Sequence, residues 1–72
     1  MSADLATQLR AEHRRACGYR AIESGHYGEA SSHLQHSASD YDRIGQHETA
    51  RNLRIVSDRC FETARQLGQV CT

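Results

Sequence analysis

Tyr27-Gly28-Glu29-Ala30-Ser31-Ser32-His33-Leu34-Gln35-His36-Ser37-Ala38-Ser39-Asp40-Tyr41-Asp42-Arg43-Ile44, set between Gly25 and Gly45, decides the fold. Within it Tyr27, Ala30, Leu34, Ala38, Tyr41 and Ile44 recur at steps of three and four, which puts them on one face of a helix. That face is the expected core side. The glycines at either end suit the left-handed residue just past a helix C-terminus, so Gly25 closes a first helix and Gly45 closes the second. The turn after Gly45 is short, which makes the second and third helices antiparallel neighbours.

Outward from this stretch the period continues. On the C-terminal side Ala50, Leu53, Val56, Cys60, Ala64 and Leu67 repeat it, with Arg51, Arg54, Asp58, Glu62 and Arg65 on the polar side and Arg54 and Asp58 at ion-pairing distance in sequence. Ile55 and Phe61 lie off that stripe, which either widens the core face or leaves two apolar side chains available to a partner. On the N-terminal side Leu5, Leu9, Ala16 and Tyr19 share a face, Glu12 interrupts it and Ile22 lies well off it, so the first helix is expected to pack through its middle, with Ser2 as its cap. No segment carries the two-residue alternation of a strand. The expectation is an all-α, three-helix antiparallel bundle forming one domain over 1–72, with helices at about 3–23, 27–43 and 46–67.

The totals narrow the function. In 72 residues there is room for one small domain, and nine alanines against five leucines let helices approach closely while burying little area each. Nine arginines balance nine carboxylates, with no lysine, so no net field gathers nucleic acid or an anionic membrane. An aromatic fraction of 6% argues further against a base-stacking platform. There is no apolar run of the roughly 20 residues a membrane span needs and no secretion-signal pattern at Met1-Ser2-Ala3-Asp4, so the expected location is cytoplasmic. Cys17, Cys60 and Cys71 form an odd set without CxxC spacing, which reads as core filler and not as a disulfide framework or zinc knuckle.

Two resemblances refine the helical reading. Gly25-His26-Tyr27-Gly28-Glu29-Ala30, with Leu34 downstream and Gly18 upstream, resembles the turn of a tetratricopeptide helical hairpin. The length allows about one such repeat, which excludes a solenoid. Over nearly the whole chain, Ala16 to Ala30, Leu34 to Tyr41 and Arg59-Cys60-Phe61-Glu62-Thr63-Ala64-Arg65-Gln66-Leu67 are similar to the MIT domain, a three-helix module of tetratricopeptide type. That resemblance implies a protein that binds short helical or extended peptides in grooves beside its third helix. Arg65 stands where the family has an acidic residue, which implies a different charge preference for the peptide.

Chemistry-bearing residues are few. His33 and His36 sit at i,i+3, and with His26 they are the candidates for a metal, although two imidazoles are short of the four ligands of a structural zinc. Solvated histidines are the ordinary reading, and no metal or other cofactor is expected. Cys17 and His13 lie one turn apart, a spacing that suits either a nucleophilic pair or a buried cysteine beside a surface histidine. Asp40 and Asp42 flank Tyr41 on the outer side of the second helix, as a solvated helix end would have them. No phosphate loop, dinucleotide fingerprint or nucleophile elbow occurs, so no enzymatic activity is expected. Arg10, Arg14, Arg15 and Arg20 form a basic stretch on the first helix, either a solvated face or a patch for an acidic partner.

The leading expectation is a non-catalytic module that binds another protein, in which Arg51, Arg54, Ile55, Asp58, Phe61 and Arg65 bound an interhelical groove for a peptide or helix. A short chain without catalytic residues also fits the profile of small phage or mobile-element inhibitors, anti-CRISPR proteins among them, which mask a surface of a host complex. A histidine-based metal-binding protein is the third reading. Self-association, completing a small alanine-rich core with a second copy, is compatible with the first two.

Overall fold

The computed structural model describes residues 2–69, and side chains from Asp4 onward. Cys71 and the Ser2 side chain, expected as a cap, lie outside the described part. Three helices make an all-α bundle: α1 (Ser2–Glu23), α2 (Tyr27–Arg43) and α3 (His47–Gln66). α2 is the shared partner, packing along both neighbours, whereas the backbones of α1 and α3 scarcely approach. Contacts such as Ala11 with Ser37 and Arg10 with Asp40, then Ser31 with Ser57 and Asp42 with Arg54, run in opposite directions along each pair, so α2 is antiparallel to both.

One backbone turn ends all three helices, the third at Gly68, where Gln69 N–H donates to the Ala64 carbonyl at 2.7 Å and Gly68 N–H to Arg65 at 3.2 Å. Gly25 and Gly45 adopt φ of 79° and 83°, a left-handed conformation that costs glycine nothing and a side chain about 1–2 kcal/mol. Around the first, His26 N–H donates to the Ala21 carbonyl at 2.8 Å and Gly25 N–H to Ile22 at 3.0 Å; around the second, Gln46 N–H donates to Tyr41 at 2.9 Å and Gly45 N–H to Asp42 at 3.1 Å. Both are Schellman stops. In each the residue after glycine is already the N-cap of the next helix, with φ, ψ of −94°, 74° at His26 and −94°, 70° at Gln46. The first turn carries an extra clasp: the Gln69 carboxamide accepts from Tyr27 N–H at 2.9 Å and donates to the Gly25 carbonyl at 2.8 Å. The chain beyond α3 is thereby tied to the connection between α1 and α2.

The core is thin. Ala11, Ala30, Ala38, Ala50 and Ala64 are buried with Leu34, Tyr41, Leu53 and Cys60. Leu34 alone among the largest fully buried side chains is apolar; the others are Asp40, Ser37 and Ser57. Since each buried methyl or methylene contributes about 0.8 kcal/mol, Leu34, Tyr41 and Leu53 carry most of the apolar gain. The serines permit close helix approach and take up the polar cost themselves. Ser37 Oγ donates to the Ala11 carbonyl at 2.7 Å, and Ser57 Oγ donates to the Ser31 carbonyl at 2.9 Å. Gly18 serves the same end, for a Cβ there would lie 2.6 Å from Leu34 Cδ2.

Two expectations about faces are corrected. In α1, the stripe of Leu5, Leu9, Ala16 and Tyr19 does not face the bundle: Leu5 is 58%, Leu9 57% and Tyr19 43% exposed. The helix instead docks through Ala11 and Gly18, with Ile22 packed against the core. The physical reason is distance, because only the smallest residues of α1 allow its backbone within hydrogen-bonding reach of Ser37. Asp40 is the second correction. It is 2% exposed, not solvated, and Arg10 Nε and Nη2 donate to its two oxygens at 3.2 and 3.1 Å while Arg14 Nη1 donates at 3.1 Å. A buried carboxylate is tolerated when charged donors replace its water, and Arg10 and Arg14 do so from the edge of the α1–α2 joint.

Candidate interaction surface

The residues expected to bound a partner site occupy one broad side of α3 without forming an apolar surface. Ile55 and Phe61 are 48% and 47% exposed, yet six residues of helix place them ~120° apart, with the charged residues between them. Arg54 does not pair with Asp58; its guanidinium reaches Asp42 on α2 at 2.6 Å and closes the α2–α3 edge. Arg65 Nη2 donates to both Glu62 oxygens, at 2.8 and 2.6 Å. Arg51 and Asp58 are exposed. Asp42 also takes His47 Nδ1 at 2.8 Å, and the His47 and Arg54 hydrogen bonds hold its carboxyl below the usual carboxylate range.

The four arginines of α1 do not make one basic patch either. Arg10 and Arg14 are committed to Asp40, and Arg15 extends over the Tyr41 ring, 5.8 Å from its centroid. Arg20 turns to the other side of α1, where it meets Cys17, Ala21, Ser24, His26, Glu29 and His33 around a shallow groove of about 260 Å³. Here the structure brings His26 and His33 to one place and leaves His36 off it, exposed on α2. Among the described residues no three His, Cys, Asp or Glu side chains are placed to hold a metal ion together. Among the described residues the metal reading therefore has no ligand set to rest on. Cys17 Sγ lies 3.5 Å from His13 Nε2, which fulfils the spacing, but no further hydrogen bond orients His13 among the described residues. A nucleophile's base needs such an orienting group. Cys60 is a buried core thiol, and burial pushes its pKa up, away from the reactive thiolate.

A surface the sequence reading missed opens between α1 and α3. Because these helices scarcely meet, Leu53 and Val56 are left as the floor of an open cleft of about 300 Å³, walled by Arg15 and Tyr19 from α1 and by Thr49 and Asn52 from α3. Arg15 and Asn52 supply hydrogen-bond donors at its rim, and Tyr19 supplies a half-exposed aromatic ring. A sequence signal existed: Thr49, Asn52 and Val56 follow the same three- and four-residue steps as the core of α3, displaced by one position. What concealed the cleft was the orientation of α1. Among the described residues no helix is long and apolar enough to cross a membrane. No protein family, curated protein or solved structure matches this chain.

Proposed function

We propose that this protein is a non-catalytic interaction module that receives a short helical or extended segment of another protein in the cleft between α1 and α3. The observation that carries this reading is the cleft itself: between two helices that scarcely meet, its floor is apolar, with Val56 partly exposed above the buried Leu53. An apolar side chain of the partner would enter there, with Tyr19 stacking beside it and Arg15 and Asn52 addressing the partner's carboxylates and backbone carbonyls. The cleft runs beside α3, the side that the MIT resemblance implies for peptide binding. Its rim is basic at Arg15, which favours a segment carrying an acidic residue next to its apolar anchor.

A displayed library of random peptides, selected on the purified chain, tests the reading. Selected binders should shift the amide resonances of Thr49, Asn52 and Val56, and Val56→Arg should weaken them at least about tenfold with the circular dichroism unchanged. Binders that ignore Val56→Arg, or that shift only the outer side of α3, would refute the assignment.

A further inference from the structure

The outer face of α1 has the pattern of a coiled-coil seam. Leu5, Leu9, Glu12, Ala16, Tyr19 and Glu23 follow one another at steps of four and three without a break, the alternation of a and d positions in a heptad repeat. This seam points away from α2, and its three large apolar side chains are about half exposed. The N-terminal turns of α1 make the point sharper. No residue from Asp4 to Leu9 is buried, and Ala11 is the first to be so. A helical segment of that length is marginal in water unless an apolar face is packed. Within one copy, nothing among the described residues buries the face that carries Leu5 and Leu9.

We propose that this face is covered by the same face of a second copy, with the two α1 helices antiparallel about a twofold axis. Self-pairing is favoured by the seam's own composition. Parallel alignment would stack Glu12 on Glu12 and Glu23 on Glu23, two like-charge layers in a three-heptad seam. Antiparallel alignment removes both clashes. Leu9 then faces the second copy's Tyr19, Glu12 faces its Ala16, and Leu5 faces its Glu23 at the open end of the seam, where the carboxylate keeps its water. Glu12 is already held toward Gln8, whose Nε2 donates to Oε2 at 3.3 Å, so a small Ala16 opposite leaves room for that pair. The same alignment lays the N-terminal turns of each α1 along the Tyr19 end of the other, giving each the packing it lacks alone. In this register the two α1 helices overlap from Leu5 to Glu23, a contact that runs roughly 28 Å. The inference does not rest on the α1–α3 cleft, although the two surfaces adjoin and share Tyr19.

Light scattering on the full chain across a concentration series gives the first readout, and the expected mass rises from 8.1 kDa toward twice that value. Leu9→Glu should hold the chain monomeric at unchanged helicity, since Leu9 takes no part in the monomer's core. Glu12→Leu should tighten the dimer at least about tenfold by filling the two symmetry-related polar layers at the centre of the seam. In a mixed sample of labelled and unlabelled chain, intermolecular NOEs should join Leu9 methyls to the Tyr19 ring. A wild-type chain that stays monomeric to about 1 mM would overturn the proposal and leave the cleft reading standing. So would a dimer whose intermolecular NOEs fall on Ile55 or Phe61, or one that Leu9→Glu does not dissociate.

Discussion

α1 and α3 flank the same central helix, follow or precede the same Schellman turn, and use their apolar residues in opposite ways. α3 is an ordinary amphipathic helix whose Ala50, Leu53, Cys60 and Ala64 stripe faces inward. α1 turns Ala11 and Gly18 inward, reaches Asp40 with Arg10 and Arg14 from the edge of the joint, and leaves its leucines outward. The α2–α3 joint rests on Leu53 and Cys60 with the Ser31–Ser57 pair, whose oxygens lie 3.0 Å apart. The α1–α2 joint rests on Gly18 against Leu34 and on one carboxylate shared by two arginines. The difference teaches that an apolar stripe marks a face that something will cover, while close packing and a buried charge decide which face the fold itself uses.

Removing the charge should separate the two joints most clearly. Asp40→Ala deletes the acceptor that Arg10 and Arg14 share, and is expected to cost about 2–4 kcal/mol, at the lower end of what breaking a buried ion pair costs because both arginines can return to water. Hydrogen exchange should report faster opening of α1 than of α3. Equal acceleration in both helices would mean the joints are not distinct.

Gly18→Ala comes next. The added Cβ meets Leu34 Cδ2 at 2.6 Å and Cγ at 2.7 Å, so Leu34 or α1 must move. Overpacking of this kind costs about 1–3 kcal/mol, offset by up to about 1 kcal/mol from the better helix propensity of alanine. Denaturant midpoints should fall, and an unchanged or higher midpoint would show that α1 is not held by close approach.

A smaller effect belongs to the α2–α3 side. Asp42, with its carboxyl pKa depressed by His47 and Arg54, binds a proton more weakly folded than unfolded. Its contribution is therefore present above the unfolded carboxylate pKa and is lost as pH falls through the folded one, below about pH 4. Thermal melts of wild type and Asp42→Asn should differ at pH 5 and converge toward pH 2. A gap that stays constant over that window would remove the ion pair from the account.

How far the sequence carried the reading differs between these same regions. Gly25, Gly45 and the stripe from Tyr27 to Ile44 were legible because left-handed glycines and a three-to-four step are local signals, and the helices begin and end within one residue of the expected bounds. Asp40 was not legible. Its burial depends on Arg10 and Arg14 arriving from about thirty residues away, and nothing local distinguishes it from the partly exposed Asp42. The side of α1 that packs was misread for a related reason. Periodicity identified Leu5, Leu9, Ala16 and Tyr19 as one face correctly, but the assumption that this face meets the bundle failed where Gly18 and Ala11 allowed closer contact. The cleft followed from that orientation and so could not be placed. The Gln69 clasp on Gly25 and Tyr27 is a long-range contact with no sequence signature.

The account stands most directly on the inverted packing of α1, and a matched pair of truncations tests it. Leu53→Ala and Leu9→Ala remove the same atoms from the two flanking helices. At a concentration where the chain is monomeric, urea unfolding should show a loss of about 2–5 kcal/mol for Leu53→Ala and a change within about 0.5 kcal/mol for Leu9→Ala. Comparable losses at the two positions would contradict the account, because they would place Leu9 inside the monomer's own core.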